Sequence, residues 1–493
     1  MMGALRVFLV LTALAGLGHV GEAGLAVGRH GLIINPAKTV TIETNPVVDH
    51  FGDDDIIHSI GHLNNLKAKG STFGRGPSYV AARNVSAGDP VLRLPMSSVM
   101  SARTAAAGRI QVLLDVNPDL PNAVVLALHV LEEKFKGPDS KWFSFIHSLP
   151  MTLHGTIYLP EDEIDLIEGS QLYRLTHARL NAVSQYFDAL HGPVTSNAVD
   201  PPLFNVDEFT LEAFKWAMSI VWYCQSRCSC PDVRCRAHAI LIPKDDDVEA
   251  LLVPFVSTLA HGPGIQNHFD INFDTQTFTM LTATALQPGD PVRINLGDSS
   301  MALYMLNYGF CGEPSPLDNV PLTIQVEEKD PLRAFKTSIL AMVNTTMEAP
   351  YVLEFDPALP PNVVQSMRIK VLELATVKLI VPQVMTSSEI GQYEAAINHE
   401  RISLRNEFAW CRALTHTCAA MLDAYAYPLD EVRSAADRGI QRRCMKRMVP
   451  GLQGRQRDLA RVVIHEQEIL VRAKDAVATH WHGLLADESF VPE

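Results

Sequence analysis

The sequence predicts an α+β fold: short β-segments interrupted by a helical insertion and followed by an all-α C-terminal domain. Three observations carry this. Strand-like runs at Tyr79–Arg83 and Val91–Leu94 flank a Ser86-Ala87-Gly88-Asp89 turn. The pattern becomes mainly helical from Arg103 to about Cys224, and strand signals return from Ala239 to about residue 297. Beyond about residue 330 it is helical again. There is no phosphate loop of the G-x-x-x-x-G-K type and no G-x-S-x-G elbow, which argues against P-loop and α/β-hydrolase architectures.

Composition bounds the function. The chain has 493 residues, room for about three domains. Hydrophobic residues make up 47% and charged residues 19%, which excludes wholesale disorder. Lys plus Arg is 41 against 55 for Asp plus Glu, a net charge of −14. That argues against a nucleic-acid binder, which needs clustered positive charge.

In chain order, residues 1–24 read as a signal peptide. Arg6 precedes an apolar run from Val7 to Leu17, and Gly21-Glu22-Ala23 offers small residues for cleavage near Gly24. The run is short for a bilayer, and no later charge-free stretch is long enough, so no transmembrane segment is expected. The secretory route is therefore expected, with a two-part plastid address opening in the same way as the alternative. Asn84-Val85-Ser86 and Asn344-Thr345-Thr346 become glycosylation candidates on that route.

Residues 25–65 form an N-terminal extension with an acidic patch, Asp53-Asp54-Asp55. His58 and His62 follow at i, i+4 spacing, but no third ligand is specified and a solvated helix start is the simpler reading. Residues 66–330 form the next domain, with the helical insertion at about 104–235. Asn122–Lys134 carries apolar Val125, Leu126, Leu128, Val130 and Leu131, the pattern of a buried helix. In the last domain, 331–493, Arg455–Ala486 aligns Leu459, Val463, Leu470, Ala473 and Val477 on one face.

Four segments in order resemble the SET-domain protein methyltransferases, in the subgroup of the Rubisco large-subunit lysine and actin-histidine enzymes. The first is Gly74-Arg75-Gly76 with Val80–Val85, Ala87-Gly88-Asp89 and Val91–Pro95. The second, resembling the subgroup's helical insertion, is Leu126-Ala127-Leu128-His129 through Glu132-Glu133-Lys134, with Ser140-Lys141-Trp142. The third runs from Pro254-Phe255 through Leu259-Ala260-His261 to Asn267–Asp270. The fourth runs from Pro288-Gly289-Asp290 through Ile294–Gly297 to Asn307-Tyr308-Gly309-Phe310. The resemblance implies a SET fold, a short-stranded β-clip with a pseudoknot, followed by a helical substrate-binding-like domain. It also implies S-adenosylmethionine as cofactor and lysine, or less readily histidine, of a protein substrate as acceptor.

By the same resemblance, Gly74, Arg75 and Gly76 lie along the cofactor, where glycine permits close approach and positive φ. Arg227 resembles the arginine that grips the cofactor carboxylate, a task suited to guanidinium; its spacing from Trp216 also allows a surface arginine. Ala260 and His261 occupy the family's Asn-His pair, and His261 is otherwise a core histidine. Tyr308 resembles an active-site tyrosine, and Leu296 and Phe310 line the substrate channel. Ala260 and Leu296 stand where the family has Asn and Tyr, so a catalytically inactive docking module is the rival reading.

Cys224, Cys228, Cys230 and Cys235 fall within twelve residues, open to zinc, disulfides or free thiols; no metal is assigned. The acidic runs Glu161-Asp162-Glu163 and Asp245-Asp246-Asp247 read as solvated surface, or as steering for a basic substrate. The expected partner is a protein substrate, and the expected state a monomer.

Overall fold

The structure, a computed structural model, describes residues 66–69, 78–196, 201–224, 241–244, 247–256, 259–262, 265, 268–272, 274–295, 299–324, 326–373, 398–432 and 454–486. Two compact units emerge. The first takes the chain up to Tyr158 with His177–Asp298, and the second takes Leu159–Thr176 with the chain from Ser299 onward.

The first part of the chain gives β1 (Leu66–Lys69), β2 (Ser78–Ala81), β3 (Pro90–Pro95) and β4 (Met100–Ser101). The insertion gives α1 (Ala102–Ala106), α2 (Gln111–Leu114), α3 (Asn122–Lys136), α4 (Phe143–Ser148), α5 (Glu161–Ile164), α6 (Gln171–Thr195) and α7 (Leu211–Cys224). Six strands follow: β5 (Leu241–Lys244), β6 (Asp247–Leu252), β7 (Ala260–His261), β8 (His268–Asn272), β9 (Thr277–Leu281) and β10 (Arg293–Ile294). The rest comprises α8 (Met301–Tyr308), β11 (Asn319–Leu322), α9 (Arg333–Met342), β12 (Tyr351–Glu354), α10 (Pro361–Lys370), α11 (Leu404–Asp423) and α12 (Arg455–Ala486).

In the first unit, α3 begins after Pro121, whose extended backbone closes the preceding loop. Every residue from Val124 to Glu133 is buried, as expected of a helix apolar around its circumference. Leu126, Leu128 and Leu131 share one core with Phe209, Phe214 and Ile220, and each such side chain contributes about 2 kcal/mol of burial. The β-segments before and after the insertion fold back together. β9 lies between β3 and β8, antiparallel to both, with Leu92 opposite Met280 and Leu94 opposite Phe278. A bulge between Pro90 and Leu92 breaks the alternation, so Val91 and Leu92 are both buried. β6 joins β4 and β5 in a second antiparallel sheet.

In the second unit, α11 and α12 enclose a core with Trp410, Leu414, Leu459, Val463, Leu470, Ala473 and Val477. The five positions aligned by the sequence on α12 are all buried. The C-terminal region is helical but not all-α, which corrects the sequence reading. Tyr351–Glu354 is strand β12, paired antiparallel with β11, so that Val320 faces Leu353 and Leu322 faces Tyr351. Its alternating burial is a period of two, too short a run to stand out between helices. Among the described residues, no helix is long and apolar enough to cross a membrane.

Candidate functional site

In the first unit, the two sets of β-segments converge on β7 and β10. These pair in parallel, Ala260 opposite Arg293 and His261 opposite Ile294. Gly262 N donates to Ile294 O at 2.9 Å. A Cβ on Gly262 would lie 2.3 Å from Ile265 Cδ1, the end of a side chain that can shift, and 3.1 Å from Arg293 Cβ, so glycine eases the close approach of this turn to β10. Just before β10, the chain runs antiparallel beside β2: Ala81 N donates to Asp290 O (2.8 Å), Gly289 N to Ala81 O (2.8 Å) and Val292 N to Tyr79 O (2.9 Å). Segments from opposite ends of the insertion thus form one continuous backbone network.

Phe255, close in sequence to β7, stands in the third motif of the sequence reading without a site role. It has φ +67° and sits in a three-residue turn closed by Val256 N donating to Pro254 O at 2.8 Å. Such a backbone costs on the order of 1–3 kcal/mol and tends to cluster at functional sites. Its ring meets Tyr79 edge-on at 5.6 Å. A Pro-Phe pair carries no sequence signal for positive φ.

In the second unit, Tyr308 ends α8. Ser300 caps the helix start by accepting from Leu303 N, and Gly309 closes the end in the left-handed region at φ +72°. Tyr304, Tyr308 and Phe310 form an aromatic cluster with ring centroids 6.3, 5.5 and 5.8 Å apart. Tyr304 and Tyr308 are buried and Phe310 half-buried. Beside Tyr308, Asn307 Oδ1 is buried with no hydrogen-bond partner, an open acceptor suited to an N–H donor.

The start of α8 is anchored by Asp318, which is buried. Its Oδ1 accepts from Met301 N at 2.6 Å and its Oδ2 from Ser315 N at 2.7 Å. His465 of α12 faces the same carboxylate at 3.2 Å and stacks on Phe355 at 5.2 Å. Burial alone would lower the His465 pKa, but Asp318, with Glu468 at 3.6 Å, outweighs it and leaves it raised. Burial pushes the thiols of Cys311, Cys411 and Cys418 up to about 12, so none of the three is a thiolate nucleophile at neutral pH.

Of the sequence-predicted site residues, the structure brings Tyr308 and Phe310 together. It describes Ala260 and His261 as backbone in β7. Gly74, Arg75, Gly76, Arg227, Leu296, Cys228, Cys230 and Cys235 lie outside the described residues, and Cys224 is described only as the last residue of α7.

Comparison with known proteins agrees with this layout. The Rubisco LSMT substrate-binding family matches residues 327–470. The chloroplastic Rubisco large-subunit N-methyltransferase of Nicotiana tabacum is 25% identical over 374 residues, 74% of this chain and 70% of that protein. The human actin-histidine N-methyltransferase is 22% identical over 360 residues, 72% of this chain and 57% of that protein. The crystal structure of the SET domain of LSMT bound to lysine and AdoHcy matches with a TM-score of 0.68 at 20% identity, covering 86% of this chain and 89% of that one. The structure of Rubisco LSMT bound to AdoMet matches with a TM-score of 0.66, also at 20% identity, covering 88% and 93%. The chain therefore has an LSMT-like SET fold with a helical C-terminal region, and is a distant relative of the SET-domain protein methyltransferases that include Rubisco LSMT and the actin-histidine enzyme.

Proposed function

We propose that this chain is an S-adenosylmethionine-dependent protein N-methyltransferase acting on lysine side chains of a protein substrate, with histidine as the other acceptor. The observation that carries the reading is the reunion of the split β-segments into one backbone network at β2, β10 and β7. It joins chain segments from either side of the insertion, as the resemblance expects, in a chain whose relatives are named as lysine or histidine methyltransferases. Residues 66–330 act as the SET domain, and residues 331–493 dock the substrate protein.

The open Asn307 Oδ1 beside Tyr308 fits ligands that bring an N–H donor, as the cofactor's amino groups and an acceptor amine both do. Gly74 to Gly76, Arg227 and His261 would hold the cofactor, which supplies an electrophilic methyl group when bound. The chain's own work is to present a neutral acceptor nitrogen in line and keep water out. Tyr308, backed by Tyr304 and Phe310, supplies an aromatic wall with one hydroxyl to orient that nitrogen. Leu296 contributes volume without a hydroxyl. Ala260 gives no side-chain polar contact, which weakens cofactor binding by about 1–3 kcal/mol if a buried partner is left unmade.

Those two residues favour the second reading, a SET-fold docking module without catalysis. Incubation of the full chain with methyl-tritiated S-adenosylmethionine and a protein lysate separates the two. Label in protein that is stable to base and assigned to lysine or histidine by mass spectrometry supports the enzyme. Substrate capture without label supports the docking module.

A further inference from the structure

Away from the features described so far, α3 holds a second constellation of chemistry-bearing side chains. His129, Glu132 and Glu133 are 2%, 5% and 5% exposed. One ligand atom from each lies within 4.8 Å of the others. Neither ring nitrogen of His129 nor Glu132 Oε2 has a hydrogen-bond partner, and Glu132 Oε1 meets only the Lys136 ammonium. We propose that these three side chains bind a divalent cation of the zinc type.

Charge and distance both support this. The two buried carboxylates share one cation in direct contact: Lys136 Nζ lies 3.2 Å from Glu132 Oε1 and 2.6 Å from Glu133 Oε1, while Lys141 acts on Glu133 alone and at longer range. Glu132 is the less compensated of the two in a desolvated setting, where charges are paired or coordinate metals. The protein offers the His129 ring no partner: Nδ1 stands 3.8 Å from Glu132 Oε2, too far for a hydrogen bond, and Nε2 has none either. Two ligands each about 2.0–2.2 Å from a tetrahedral zinc lie roughly 3.3–3.6 Å apart; Nδ1 and Oε2 stand 3.8 Å apart and all three ligand atoms within 4.8 Å, so an ion would draw the side chains together.

The surroundings orient the ligands. Ser140 Oγ donates to Glu133 Oε2 at 2.6 Å. Trp142 meets the His129 ring edge-on at 5.0 Å and donates from Nε1 to Ser98 O at 2.9 Å. The Lys136 side chain is 39% exposed, so it can swing into water and open the carboxylates to an ion. A bound ion would tie the last turns of α3 to the Ser140–Trp142 loop and, through Trp142, to Ser98.

The test uses the chelator-stripped full chain titrated with Zn²⁺ and with Co²⁺, followed by calorimetry and absorption. The cysteine cluster is the competing site, and cobalt distinguishes them, because thiolate ligands add a sulfur-to-metal charge-transfer band. The expected result is an ion bound without that band. Its affinity should fall more than about 100-fold in Glu132→Gln and His129→Asn, and about tenfold in Ser140→Ala, which only orients Glu133. X-ray absorption of the zinc-loaded wild-type chain, which needs no variant, should give nitrogen and oxygen neighbours at about 2.0–2.1 Å with one imidazole. The proposal is overturned if no ion binds. It is also overturned if the only ion has sulfur neighbours, or if its affinity is unchanged in folded Glu132→Gln.

Discussion

Coupling between Asp318 and His465 should be large and pH-dependent. Asp318 is 3% exposed, takes two backbone N–H groups at 2.6 and 2.7 Å and faces His465 at 3.2 Å. Asp318→Asn keeps the shape, but with its oxygen held by Met301 N its amide nitrogen cannot accept from Ser315 N and carries no charge to face His465. One charge-assisted hydrogen bond and one buried ion pair are lost, about 2–4 kcal/mol in total. The pairwise part comes from a double-mutant cycle with His465→Gln. The His465 pKa is raised in the fold, so its contribution is fully present below its unfolded value and is lost as pH rises through the folded value. Denaturation followed through Trp410 and Trp481, both in the second unit, should give a coupling of about 1–2 kcal/mol at one unit below the ordinary imidazole value of about 6.5. The coupling should fall as pH rises above that value and through the raised folded one. A coupling equal below and above those values would refute the reasoning, because the cycle cancels the titration of groups outside the pair, Glu466 among them, and leaves the charge on His465.

Three further outcomes follow from the same geometry. Arg368→Met leaves the fully buried Glu407 carboxylate, which Arg368 Nε meets at 2.6 Å, without its cation; the loss should be about 3–5 kcal/mol by urea denaturation. Burial pushes Glu466 up to about 7 from 4.5, even though Gln171 N and Tyr425 donate to it. Its unfolded form therefore loses a proton first, and wild type should lose about 3 kcal/mol relative to Glu466→Gln as pH rises from about 4.5 to 7; parallel pH profiles would sink this. Tyr308→Phe removes only the hydroxyl and should lower label transfer about tenfold to hundredfold with KM nearly unchanged, whereas Leu296→Tyr should raise it.

The sequence allowed the α12 boundaries to be read because Arg455–Ala486 is long and its apolar stripe regular. β3 was legible as well, although its bulge was not, since Val91-Leu92 reads as a plain apolar pair. β12 escaped notice because four residues sit between helices and gain their meaning only from pairing with β11. The order of motifs singled out Tyr308 and Phe310, which the structure places in one aromatic cluster. Phe255 stood in a motif without a role, because its positive φ is imposed by the turn rather than by residue type. His465 was also missed: it lies 147 residues from Asp318, and no local pattern announces a partner so distant. His129, Glu132 and Glu133 stood in the sequence only as part of a helical motif, and their burial and shared neighbourhood emerge only in three dimensions.

The proposal that this chain is an active methyltransferase is tested most directly by calorimetric titration of the purified full chain with S-adenosylmethionine. The account predicts saturable binding of one cofactor, weakened by substituting Gly74 or His261. Absence of both heat and thermal shift at about millimolar cofactor, the weak end of ordinary ligand affinities, would contradict it.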